Sequence, residues 1–279
     1  MSAALSGSLV LLIAAFVLVE SWPALTAVGI DRFLYDPSWH PAGGPEVGSF
    51  NLVPMLLGTL LTTLGAIVLA APLGVLSAIF RRVYAPPFLG RAYRWLIELL
   101  AGIPSVVYGF WGLVVVVPIL ASFEPPGASL LAGILILTLM ILPTTALTSD
   151  AALVSVPRRY LEGAAALGLS RWATLRGVVL PAAGSGIGTG ILLAIGRALG
   201  ETMAVLMVCG NVVAVPDSLF APVRTLTANI ALEMAYALEG HRSALFVSGL
   251  LLLLLVSALV LAADALERRA VASEGGAVG

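Results

Sequence analysis

Long uncharged stretches, separated by short polar ones, dominate the chain. Runs without a charged residue cover 51–80, 99–123, 125–149, 177–196 and 243–263, and a shorter one, 1–19, opens it. A helix needs about 20 apolar residues to cross a bilayer. Backbone groups inside lipid must be satisfied within the segment, so runs of this length predict helices. The alternation of a membrane barrel is absent. The pattern predicts an all-α, polytopic membrane protein with about six transmembrane helices, near 6–28, 53–80, 95–121, 129–149, 184–212 and 244–264. Residues 29–51 form a Pro/Gly-containing loop, and 213–243 is a longer mixed segment with room for a short surface helix near 225–238.

The polar positions set the orientation. Arg81, Arg82, Arg91, Arg94, Arg158, Arg159, Arg171, Arg176, Arg268 and Arg269 fall on one side of a six-span arrangement. Arg32, Arg224 and Arg242 fall on the other, and Arg197 lies within the fifth span. The positive-inside rule makes the arginine-rich side cytoplasmic, with both termini inside. The first run has no basic residue before it, unlike a cleaved signal peptide, so it is expected to be retained.

Composition narrows the chemistry. Of 279 residues, 60% are hydrophobic and 10% charged, too few charges to cover a soluble domain. All 14 basic residues are arginine, so a GxxxxGK[ST] phosphate loop is excluded and any ATP hydrolysis by that device belongs to another chain. The single cysteine, Cys209, and two distant histidines, His40 and His241, argue against a disulfide or a metal centre. Neither histidine falls in an expected span, which leaves little for a membrane-embedded enzyme. No cofactor and no nucleic-acid partner are expected.

Between the fourth and fifth spans the chain turns from a plain connector into something more specific. Pro157 suits a helix start, Gly168 a left-handed cap, and Ser170 the N-cap of a second helix. The stretch Glu162-Gly163-Ala164-Ala165-Ala166-Leu167-Gly168, continuing to Val178-Val179-Leu180-Pro181, resembles the EAA loop of ABC importer permeases. Gly163 stands where that pattern has its first alanine, and Val178 where it has isoleucine. The resemblance implies the type I permease fold and a coupling loop, 150–183, that docks into a separate ATPase. Glu162 and Gly168 would be its main contacts, with Ala164, Leu180 and Pro181 at matching positions.

Two further stretches, Ile103-Pro104-Ser105-Val106-Val107-Tyr108-Gly109 and Gly196-Arg197-Ala198-Leu199-Gly200-Glu201-Thr202-Met203-Ala204-Val205, resemble the PstC family, the C-type permease of phosphate-specific importers. Asn51-Leu52-Val53-Pro54 and Ile141-Leu142-Pro143-Thr144 fit the same family. This implies an inner-membrane transport subunit and not an enzyme. Its partners would be a second homologous permease, two ATP-binding subunits, an extracytoplasmic phosphate-binding protein and the lipid bilayer. By that organisation 1–28 is a first transmembrane helix, 29–52 an extracytoplasmic loop, 53–269 a five-helix permease core and 270–279 a disordered tail.

Arg197 is the one arginine inside a span, and an intramembrane charge needs a partner or a task. Glu201, four residues on, offers an ion pair if the helix continues. Either the two neutralise each other structurally, or Arg197 faces a pathway and grips an anion in a bidentate fork. In the second case Glu201 would hold Arg197 while the path is empty, or take a proton from monohydrogen phosphate. Thr202, Ser105 and Tyr108 complete the candidate pathway. The alternatives are a PstA-type sister permease, a carrier of another oxyanion such as sulfate or molybdate, or an ion-driven secondary transporter. The last would be expected to show inverted repeats and more buried carboxylates.

Overall fold

The computed structural model describes residues 2–275. The described residues are helical apart from one two-stranded hairpin and the loops. Among the described residues five helices are long and apolar enough to cross a membrane, and an interrupted pair brings the number to six. Six spans is the number that the uncharged runs of the sequence predict.

Helix α1 (Ser2–Val28) is followed by α2 (Ile30–Tyr35), by strands β1 (Trp39–His40) and β2 (Ser49–Phe50), and by α3 (Gly44–Val47) between the strands. The stretch at 29–51 is therefore folded. Arg32 pairs with Asp36 at 3.0 Å, Asp36 accepts from the Phe50 amide, and Trp39 opposes Phe50 across the antiparallel pair. Helix α4 (Val53–Ile79) continues through a π-helical turn at Phe80–Tyr84.

The third expected span, 95–121, is not one helix. Helix α5 (Pro87–Gly102) stops before α6 (Ser105–Trp111), with Ile103 extended between them. Pro104 explains the stop, since a proline disfavours helical backbone at the residue before it and lacks the amide that would continue the ladder. A π-helical turn (Gly112–Val116) leads into α7 (Val117–Ala121), and α8 (Leu130–Ser155) runs six residues beyond the expected end at 149. Short helices α9 (Arg158–Ala166) and α10 (Arg171–Thr174) follow, then a π-helical turn (Leu175–Val179) into α11 (Leu180–Leu199).

The fifth expected span, 184–212, is also interrupted. Helix α11 ends at Leu199 and α12 (Met203–Val208) begins afresh. Helix α13 (Leu226–Glu233) lies where a short surface helix was expected, but Leu226, Thr227, Ala228, Asn229 and Glu233 are buried. Helix α14 (Glu239–Gly275) starts before the expected 244. It continues into the tail expected to be disordered from 270, and 276–279 lie outside the described residues.

The chain divides into two compact units that share its long helices. The first holds 1–63, 105–136 and 199–258, and the second 64–104, 137–198 and 259–279. The first is built on Phe33, Trp39, Phe50, Met55, Leu226 and Leu245. Close packing there relies on glycine: a Cβ on Gly109 would lie 2.8 Å from the Ala204 Cα, which lets α6 and α12 touch along their backbones. The second is built on Ala78, Ile79, Ala152, Leu153, Val156, Leu175 and Ala183. Its anchor is Asp150, buried near the end of α8, which receives Arg81 and Arg82 together. Each unit buries a carboxylate that arginine answers, Glu233 in the first and Asp150 in the second.

Candidate functional site

The projecting arm is built from α9, a glycine turn and α10, all in the second unit. Pro157 occupies the N-cap of α9. Gly168 turns the chain with φ +68°, a conformation that a side chain would strain, and a Cβ there would meet no neighbour. The Ser170 hydroxyl accepts the Ala173 amide at 3.2 Å and starts α10. Ala164 is buried and fastens α9 down, while Glu162 stands exposed with no ion pair among the described residues. Leu180 packs on the second unit's core and Pro181 is exposed at the start of α11. The arm offers a short, charged, glycine-bounded helix that carries Arg158, Arg159 and Glu162.

The other candidates divide between the units. Ser105, Tyr108, Glu201 and Thr202 belong to the first, and Arg197 to the second. Ser105 opens α6 and Tyr108 is buried on it. Glu201 and Thr202 lie in the break between α11 and α12, so Arg197 and Glu201 do not share a helix face as the i, i+4 spacing suggested. The reason lies in side chains that take the backbone groups a continuous helix would use. Glu201 Oε1 accepts the Ala204 amide at 3.1 Å, and the Thr227 hydroxyl donates to the Glu201 carbonyl at 2.7 Å.

Arg197 consequently sits in the last turn of α11, where a cation meets the negative end of the helix dipole. It is exposed and has no hydrogen bond or ion pair among the described residues. Its position does not require a neutralising carboxylate beside it.

A cluster that the sequence pattern concealed lies in the first unit. Glu233 is buried and its Oε1 accepts from the Arg224 guanidinium at 2.6 Å. Its Oε2 accepts from the Trp39 indole at 2.9 Å and lies 2.8 Å from His241 Nε2. A carboxylate bound to a guanidinium is ionised and only accepts, so His241 Nε2 carries the proton. Arg224 also donates to the Asn229 side chain at 3.0 Å and to the Asn211 carbonyl at 2.9 Å. With every charge answered, the cluster is a clasp that joins the hairpin, α13 and the start of α14. Among the described residues no group of His, Cys, Asp and Glu is arranged to hold a metal ion.

Comparison with known proteins agrees with this geometry. Residues 70–271 match the family described as binding-protein-dependent transport system inner membrane component. The probable ABC transporter permease protein YqgH of Bacillus subtilis is 41% identical over 228 residues, covering 80% of this chain and 73% of that protein. The phosphate transport system permease protein PstC of Mesorhizobium japonicum is 38% identical, covering 87% of this chain and 79% of its own. The PstC of Pasteurella multocida is 35% identical, with 91% and 85% covered. Among solved structures, an inward-facing MetNI methionine ABC transporter superposes with a TM-score of 0.60 at 21% identity, covering 78% of this chain and 94% of that one. That likeness shows the fold, a type I ABC importer permease. The chain belongs to the binding-protein-dependent transport system inner membrane components and, within them, to the PstC permeases.

Proposed function

We propose that this chain is the membrane permease subunit of an ATP-driven importer of inorganic phosphate. The α9–Gly168–α10 arm carries the reading: an exposed helix with a free carboxylate, Glu162, held at a fixed turn on the arginine-rich side. The arm docks into one of two separate ATPase subunits, so ATP hydrolysis takes place on another chain. The positive-inside rule puts the arm and both termini in the cytoplasm of a bacterial inner membrane. A second, homologous permease completes the pathway, and an extracytoplasmic binding protein delivers the anion. Relatives whose name includes phosphate transport support the choice of substrate.

Transport follows from the arm being rigid. Closure of the ATPase pair moves α9, and Leu180 and Pro181 pass that movement into α11. The far end of α11 carries Arg197. An unpaired guanidinium, favoured by the helix end, attracts an oxyanion and grips two of its oxygens. Glu201, just before α12, is the second candidate: its side chain can accept a hydrogen bond from the protonated oxygen of monohydrogen phosphate, a donor that fully deprotonated sulfate lacks. Ser105, Tyr108 and Thr202, in the first unit with Glu201, complete the candidate set.

Binding-protein-dependent uptake into vesicles that carry the complete transporter tests this assignment. Arg197→Ala is expected to lower phosphate uptake roughly ten- to hundredfold, the range for losing a charge-assisted hydrogen bond. Assembly and basal ATPase activity should persist. Unchanged uptake would remove Arg197 from the pathway. Wild-type vesicles that carry sulfate or molybdate and no phosphate would keep the importer and replace its substrate.

A further inference from the structure

Beneath the arm, wholly within the second unit, is a groove of about 650 Å³. Its walls are apolar, formed by Leu153, Val156, Leu161, Leu175 and Val179. Its charged lining residues are Arg82, Arg158 and Arg171, and no carboxylate is among them. Arg158 and Arg171 are exposed and have no ion pair among the described residues. Arg82 shares Asp150 with Arg81, so two guanidinium groups answer one carboxylate and a positive charge is left over. Glu162 lies on the same helix but does not line the groove. Tyr160 and Trp172 are exposed nearby, the residue types that settle at the headgroup level of a bilayer.

An apolar trough edged by unpaired arginines suits one kind of molecule. A free anion would be drawn to the arginines but would gain nothing from the leucine and valine walls. A neutral lipid would gain from the walls and leave the arginines unanswered. We propose that the groove binds one anionic phospholipid, with an acyl chain along the apolar walls and its phosphodiester between Arg158 and Arg171. Basic pockets between membrane helices recognise lipid headgroups by the same physics. The lipid fills the space between α9 and the end of α8 and so braces the arm against the membrane. The topology proposed above enters only in assigning the lipid to the cytoplasmic leaflet.

The test uses the complete transporter in phosphatidylcholine nanodiscs, titrated with a photo-crosslinkable phosphatidylglycerol. The crosslinked peptides of this chain are then mapped by mass spectrometry. Crosslinks within 153–179 are expected to saturate in the wild type. In Arg158→Gln/Arg171→Gln they should need roughly thirtyfold more lipid, from about one surface increment per arginine. The Arg158→Lys/Arg171→Lys variant keeps both charges and should stay close to wild type, which separates lost recognition from a misfolded arm. Equal crosslinking in the wild type and the glutamine variant would overturn the proposal. Displacement by millimolar inorganic phosphate would make this a free-anion site, and equal competition by phosphatidylcholine would make it a purely apolar trough; either would overturn it. Phosphate uptake is not the readout, so the result stands apart from the transport assignment.

Discussion

At Glu233 one carboxylate answers donors from three structural elements: Trp39 in the hairpin, Arg224 before α13 and His241 in α14. Such a group is an asset only while all partners are present. Glu233→Leu leaves the Arg224 guanidinium, mostly buried, without a countercharge. The expected loss is about 3–5 kcal/mol, the cost of breaking a buried pair from one side. Arg224→Met combined with Glu233→Leu removes both charges and should lose less than Glu233→Leu alone, since residues in one network do not act additively. Thermal unfolding of the detergent-solubilised protein measures both. A double variant as unstable as the sum of its singles would show that the pair contributes no mutual stabilisation. Arg197 presents the opposite case, an exposed cation with no ion pair among the described residues.

Helices were legible in the sequence where the physics is local. Uncharged runs long enough to cross a bilayer announced the spans, and Pro157, Gly168 and Ser170 announced the arm, because caps act within a few residues. The interruptions were less legible. Pro104 stops α5 by local backbone chemistry, but the break at 200–202 depends on a hydroxyl from Thr227, 26 residues away. The Glu233 clasp was hidden for the same reason, with Trp39 lying 194 residues from its acceptor. The glycines of α11 do not all serve one purpose. A Cβ on Gly186 would lie 2.8 Å from the Ala152 Cβ, and one on Gly190 would collide with the Thr148 side chain, whereas Gly184, Gly188 and Gly196 face open space. Gly190→Ala is therefore expected to destabilise the purified chain by about 1–3 kcal/mol through overpacking. Gly188→Ala should be neutral or slightly stabilising, because alanine is the better helix former. Equal losses at both positions, followed by thermal unfolding in detergent, would mean that helix flexibility and not the contact with α8 is what these glycines supply.

For the whole molecule, the distribution of arginines makes a claim about sidedness that one cysteine helps to test. Cys209 is fully buried, and a Cβ added at Gly133 would lie 2.5 Å from its sulfur, so no reagent reaches it in the folded chain. The native protein should resist a membrane-impermeant maleimide from either side. Two exposed positions then report the orientation: Tyr35, 82% exposed in the segment after α1, and Leu167, 80% exposed at the tip of the arm. With Arg81, Arg82, Arg158, Arg159, Arg171 and Arg176 on the arm's side, Tyr35→Cys should label in intact spheroplasts and Leu167→Cys only after permeabilisation. The reversed result would invert the topology, and with it the side from which an ATPase approaches. The same residue carries a second consequence of the arm's geometry. A helix tip inserted into an ATPase cleft is shielded, so co-expression of the ATPase subunits should slow labelling of Leu167→Cys in permeabilised cells while leaving Tyr35→Cys unchanged. Labelling of Leu167→Cys that ignores the ATPase would place the docking contact elsewhere on the chain.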